Sequence, residues 1–186
     1  MKHIHGNIIR PFTMHACIIF IFSMMLLMNI PVANSSPPDA EMCAFLERFH
    51  GHVCPGSLMG LRLGLAAKEA LNAHGRIEAR TFVLACSVDG IQIATGTTLG
   101  NKTFTVEDRN DMYLILTDVQ SGRQVEARLT QKAVDNGKSF RDLRSKSQTF
   151  TAGSPERSAL EKEINAVLDW FRTAPDADVV TVKVLK

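Results

Sequence analysis

The chain contains no Cys-x-x-Cys pair, no internal repeat, no run of basic residues and no apolar stretch as long as the roughly 20 residues a membrane-crossing helix needs. The first absence removes the usual signature of a thioredoxin-like protein. The lack of a basic run leaves no electrostatic case for nucleic-acid binding. Aromatic residues are sparse, and the one tryptophan, Trp170, falls on the core stripe of a helix near the C-terminus. Of six histidines, only His50, His52 and His74 lie beyond residue 35, and two of those three stand within one short segment.

The longest apolar run is Ala16 to Met28, preceded by Lys2 and Arg10 and followed by Pro31 and the small residues Ala33-Asn34-Ser35-Ser36. This is the pattern of a secretory signal peptide over residues 1–35, with cleavage after Ala33 or Ser35; an uncleaved N-terminal anchor is the other reading. Cys17 stands at the start of the run and lacks the small-residue context of a lipoprotein cysteine. The leader holds two basic residues and no acidic ones, so the 21 Lys and Arg become 19 against 19 Asp and Glu. The expected product is a neutral, exported, periplasmic or secreted domain over 36–186, long enough for one core and without a membrane span.

Three cysteines remain after the leader: Cys43, Cys54 and Cys86. In an oxidising compartment an odd number implies an unpaired thiol or metal ligation, so a Cys54–Cys86 disulfide and a metal site compete. The segment His50-Gly51-His52-Val53-Cys54-Pro55-Gly56 favours the metal. If it is extended, His50, His52 and Cys54 project to one side, three donors of the kind zinc accepts. Cys54 precedes a helix opened by Pro55, so the helix dipole favours its thiolate. Cys86, at the end of an apolar run, is the fourth ligand. Asp89 reads as a helix cap or as an acceptor orienting a ligating histidine. Cys43 reads as a small buried residue, and Thr97 and Thr98 as loop hydroxyls. Arg62 is either an anion contact on a pocket wall or a surface or interface salt bridge.

Hydrophobic spacing predicts a helix over 41–49, a second from Pro55 to Ala73, a strand over 81–85, and a short helix from Ile91 to Thr95. Three strands follow, over 103–106, 112–119 and 123–129, with turns at Asn110-Asp111 and Ser121-Gly122, economically an antiparallel meander. A helix begins at Ser154-Pro155-Glu156, and residues 179–184 form a last strand. Helices bracketing a mostly antiparallel sheet make an α+β fold. Gly56, Gly60 and Gly64 lay a bare stripe along the second helix. Each costs about 1 kcal/mol relative to alanine, which close approach of another backbone in the core, or of a second copy of the chain, would offset.

The histidine and cysteine segment, with Gly60, Arg62 and Gly64 downstream, resembles the formylmethanofuran dehydrogenase E-subunit family. Cys86-Ser87-Val88-Asp89-Gly90-Ile91-Gln92 followed by Thr95-Gly96-Thr97-Thr98-Leu99-Gly100 is similar to its second signature. The ending, a helix, then Ala174-Pro175-Asp176, then a strand, is similar to the close of its core domain. The resemblance implies an α+β core that tends to dimerise, with the signature histidine and cysteines around a metal-binding or active-site pocket. Thr97 stands where many members carry a cysteine, and Gly100-Asn101-Lys102-Thr103 departs from the usual loop. No cysteine follows Cys86, so the C-terminal metal-binding extension of some members is absent from this chain.

These features lead to one expectation: an exported homodimeric metal-binding domain, zinc being the expected metal, with His50, His52, Cys54 and Cys86 as ligands. It would act in metal handling or beside a metal-dependent oxidoreductase or transporter. The alternatives are a small metal- or cysteine-dependent enzyme with Cys54 as nucleophile and His52 as acid–base group, and a thiol redox protein cycling Cys54 and Cys86.

Overall fold

The structure is a computed structural model that describes residues 36–185, so the expected leader and Cys17 lie outside it. Among the described residues the elements run α1 (Ala40–His50), α2 (Pro55–Leu71), β1 (Ile77–Thr81), α3 (Ser87–Thr95), β2 (Phe104–Val106), β3 (Tyr113–Asp118), β4 (Gln124–Leu129), α4 (Gln131–Ser147), α5 (Pro155–Thr173), α6 (Asp176–Val179) and β5 (Val180–Val184). Five strands form one sheet in the order β2-β1-β3-β4-β5, all pairs antiparallel except β1 with β2. The α+β expectation therefore stands.

Three elements differ from the sequence reading, each for a physical reason. The strand expected over 81–85 lies at Ile77–Thr81. Phe82 and Val83 are buried beyond its end instead, where Phe82 stacks on Tyr113 with ring centroids 4.1 Å apart. The meander is also corrected. β2 does not pair with β3; it returns through α3 to lie parallel to β1, with Ala79 opposite Phe104, a β-α-β crossover at the sheet edge. Lastly, α4 occupies a stretch whose sequence reads as a polar connection. Its buried face is mostly small, Ala133, Gly137 and Ser147 with Phe140, so it lacks the large apolar periodicity that marks a helix in sequence.

Strand alternation sets the layers. Leu114, Leu116, Val125 and Ala127 are fully buried on one face of β3 and β4, while the opposite face carries paired charges such as Arg128 with Glu126 and Arg80 with Glu107. Such a sheet is packed on one side and wet on the other. α2 lies on the packed side against β3, β4 and β5, and α3 covers α2 in turn. It is consequently buried almost all round, with Leu58, Leu61, Leu63 and Ala67 at 0% exposure, as expected of a central helix.

The glycine stripe is consumed inside the chain. A methyl group on Gly60 would lie 2.0 Å from the backbone oxygen of Ser87, and one on Gly64 would lie 2.5 Å from the Ala94 Cβ. The recess is mutual, since a methyl on Gly90 would meet the Ser57 oxygen at 2.1 Å. The two helix backbones thus touch along this line, and the stripe is not a free surface for a second copy of the chain.

Arg62 corrects both of its expected roles. It is fully buried, pairs with Asp176 at 2.5 Å, and donates to the Phe171 and Ala174 carbonyls at 3.1 and 2.6 Å. A guanidinium with a carboxylate and two carbonyls around it is a paired interior charge, although its Nε meets no hydrogen-bond partner. It ties the central helix to the end of α5 and the start of α6. Trp170 is half-buried and meets the Phe171 ring edge-on at 4.9 Å.

Two stability outcomes follow. Alanine at Gly60 meets backbone that cannot yield and should cost about 3 kcal/mol or more; alanine at Gly64 should cost about 1–3 kcal/mol, and at Gly56, whose nearest neighbour is 3.1 Å away, less than either. Urea unfolding of the three variants would give a different order if the helices did not touch here. Asp176→Asn, which leaves Arg62 charged in the interior, should cost about 3–5 kcal/mol; a loss below about 1 kcal/mol would show that the pair is not holding the charge.

Candidate metal centre

The cluster forms where three helix ends meet. α1 continues through His50 and stops because Gly51 takes φ 85°, donating its backbone N–H to the Glu47 carbonyl at 2.9 Å. Glycine enters this left-handed region without a side-chain penalty. The chain then turns and reaches Cys54, which is extended and caps α2, with Pro55 in the first turn where its missing N–H costs nothing. Cys86 occupies the same position before α3. The glycine contact brings these two starts together: a methyl on Gly56 would lie 3.1 Å from the Cys86 Cβ.

His50, Cys54 and Cys86 each present one ligand atom, and all three atoms lie within 4.8 Å of one another. The Cys54 Sγ is 3.9 Å from the His50 Nε2. The other ring nitrogen, Nδ1, is held by the Asp89 Oδ2 at 2.6 Å. Asp89 sits in the first turn of α3, where it makes the contact to a histidine that the second of its two expected roles requires. A carboxylate on one ring nitrogen turns the other outward as a metal ligand and raises its basicity.

The segment does not run in the extended form that would make three alternate side chains converge. His50 ends a helix and reaches Cys54 across a left-handed corner, so the rule of alternation does not apply to the residue between them. His52 is exposed, its ring 4.7 Å from that of His50 centroid to centroid, and it lies outside the three-atom group. Thr97 is buried with its hydroxyl 2.7 Å from the Thr95 hydroxyl. Cys43 is half-buried against the core, and burial raises its pKa. All three described cysteines are free thiols.

The charge states around the cluster are uneven. Burial alone would raise the Cys54 pKa, but the hydroxyl and backbone N–H of Ser57, the Cys86 thiol and His50 together bring it below the usual thiol value. The Ser57 N–H meets the sulfur at 3.4 Å and its hydroxyl at 3.5 Å, while that hydroxyl accepts from the Cys54 N–H at 3.2 Å. This is a capping box with sulfur in the capping position. Cys86 is pushed up, first by burial and then by the neighbouring Cys54 charge. The His50 pKa is raised, chiefly by the hydrogen bond to Asp89, and its place in the last turn of α1 also suits a cation. Sequence reasoning misses Ser57, although a hydroxyl three residues beyond the cap is the recognisable half of such a box.

The donor set fits a borderline-soft divalent cation. Tetrahedral zinc with bonds near 2.0–2.3 Å places neighbouring nitrogen and sulfur ligands roughly 3.5–3.8 Å apart, against 3.9 Å for the Cys54 and His50 pair. Three such ligands would leave one position for water or another molecule, as in reactive rather than purely structural zinc sites. When bound, such a metal would act as a Lewis acid toward the group in that position.

A solved structure described as a tungsten formylmethanofuran dehydrogenase E-subunit (FmdE)-like protein, from Syntrophus aciditrophicus, superposes with a TM-score of 0.54 at 23% identity, covering 78% of this chain and 71% of that one. A protein of Archaeoglobus fulgidus, described as a probable S-adenosyl-L-methionine-binding protein, is 35% identical over 82 residues, 38% of this chain and 22% of the relative. The chain thus spans about a fifth of that relative's length. Residues 49–181, which include the whole cluster, match the family described as "FmdE, Molybdenum formylmethanofuran dehydrogenase operon", and the chain belongs to that family.

Proposed function

We propose that this chain is an exported, periplasmic or secreted FmdE-family domain that binds one zinc ion, with the mature protein beginning near residue 36. His50 through Nε2, Cys54 and Cys86 are its ligands, and Asp89 orients the histidine. The observation that carries the reading is the pairing of three convergent donors with a carboxylate on the non-ligating nitrogen of the only imidazole among them. His52, beside the cluster and open to solvent, is a fourth donor or an acid–base group. A site with an accessible fourth position suits metal handling, or service to a metal-dependent oxidoreductase or transporter, better than a closed structural role. The protein is also proposed to self-associate, through a surface other than the glycine stripe.

A second reading rests on the unequal thiols. Cys54 is favoured as thiolate and Cys86 as thiol at close range, the asymmetry of an attacking and a resolving cysteine. A two-electron thiol oxidant would take two electrons from the pair, join the two sulfurs and release the one proton that Cys86 carries. Metal binding and this disulfide exclude one another.

Purified protein should carry about one equivalent of zinc. Cys54→Ser, Cys86→Ser and His50→Ala should each lose it, Asp89→Asn should weaken it about 10- to 100-fold, and His52→Ala should retain it. Unchanged metal content across the first three variants would sink the proposal, and a Cys54–Cys86 disulfide isolated from every preparation would favour the second reading.

Zinc affinity should rise with pH. Ligation needs His50 deprotonated at Nε2 and both sulfurs as thiolates. The hydrogen bond that His50 donates to Asp89 holds the His50 pKa above its ordinary 6.5, and burial holds that of Cys86 above 9.0. Both groups therefore lose protons to the metal near neutrality, and affinity should climb about tenfold per pH unit for each proton released, between about pH 6 and 8. Calorimetry in buffers of different ionisation enthalpy counts the protons; fewer than about one per zinc at pH 7 would contradict the ligand set.

A further inference from the structure

Beside the two thiols lies a cavity of about 380 Å³, in the lower part of the roughly 300–1,000 Å³ range of ligand pockets. Seven of its ten lining residues have no polar side chain; the other three are Cys54, Cys86 and Arg141. One wall is α4, which contributes Gly137, the buried Phe140 and, at the rim, the exposed Arg141. Met59 from α2 and Met112 from the approach to β3 form facing surfaces. At Gly137 a methyl group would strike the Met59 Cε at 2.5 Å, so the glycine leaves room for that thioether.

The electrostatics of the cavity are one-sided. No carboxylate lines it, and among the described residues the Arg141 side chain, like those of Arg48 and Arg144, meets no acidic partner, whereas Arg62, Arg80, Arg109, Arg128, Arg157 and Arg172 each do. Larger hollows exist, including one of about 530 Å³ along Met42, Leu65 and Lys68, but neither a thiol nor an imidazole lines it. Only an apolar body would gain from burial against methionine and phenylalanine, and only an anion would gain from an unopposed guanidinium.

We propose that this cavity binds a small monocarboxylate with an aliphatic or aryl body, its carboxylate on Arg141 and its apolar end against Met59, Met112 and Phe140, next to Cys54 and Cys86. This rests on reading the His50, Cys54 and Cys86 cluster as the working site, and it names the class of molecule delivered there.

Hexanoate, hexanol and hexylamine serve as probes of matched length, titrated by calorimetry into reduced, metal-free protein and into zinc-loaded protein. Hexanoate should bind roughly tenfold more tightly than hexanol, and hexylamine least, since a partly exposed guanidinium–carboxylate pair is worth on the order of 1.4 kcal/mol. Arg141→Gln should bring hexanoate down to the level of hexanol and leave hexanol unchanged. Ala85→Phe, at an exposed position of the lining, should weaken both by obstructing the cavity. Bound hexanoate should also slow alkylation of Cys54 by iodoacetamide, read by peptide mass. Equal affinity for all three probes, no binding, or an Arg141→Gln variant that holds hexanoate as well as the parent would each overturn the proposal. Metal content, measured separately, tells the two readings apart. Zinc bound without hexanoate binding would remove only the cavity assignment, and hexanoate binding by protein that takes no zinc would remove only the metal.

Discussion

The contact between the backbones of α2 and α3 is the constraint on which the rest of the structure depends. Helices with ordinary side chains at their crossing stand about 8–10 Å apart. Here Gly60 and Gly64 on one helix and Gly90 on the other remove the side chains that would hold them apart. The loss of helix propensity at each glycine is set against dense packing along the line of contact. Its more local consequence is chemical. Two helix N-termini start side by side, so the residues standing just before them, Cys54 and Cys86, become neighbours although 32 positions separate them in the chain.

Around that contact the charges are arranged in a consistent sense. Positive helix starts face the sulfurs, and the negative end of α1 delivers the imidazole, which Asp89 holds from the far side. Cys54 is favoured as a thiolate and Cys86 is disfavoured, so the pair resists carrying two negative charges in the absence of a cation. A divalent ion would relieve that repulsion, and oxidation would remove it. Arg62 performs a separate task deeper in the molecule. It secures the last third of the chain to the central helix through Asp176 and two carbonyls, which accounts for the presence of Ala174-Pro175-Asp176 in a region with no access to the cluster.

Much of this is legible in sequence because it is local. The caps at Asp39, Cys54 and Ser154, the β3–β4 hairpin and the stripe of α5 all follow from residues within one or two turns of each other. The His50, Cys54 and Cys86 set is legible from residue chemistry, but the geometry behind it is not. An extended segment would have made His52 equivalent to its neighbours, and only the helical end at His50 makes it different. What escapes a sequence reading is non-local or small. The parallel pairing of β2 with β1 depends on a crossover, and α4 buries alanine, glycine and serine where a periodicity search looks for leucine. The cavity escapes for the same reason, since its walls come from α2, α4 and two connecting segments that no local pattern links.

One sulfur atom holds two positions at once. The Cys54 Sγ receives the Ser57 N–H at the start of the central helix and also faces His50 across the corner. Any electrophile that engages this sulfur, whether metal, oxidant or alkylating agent, draws electron density from the atom that closes the first turn. Chemistry at the thiol and fraying of α2 are therefore linked through a shared lone pair. Because that helix is the spine against which the sheet and α3 are both laid, a local reaction has a direct mechanical route into the body of the protein.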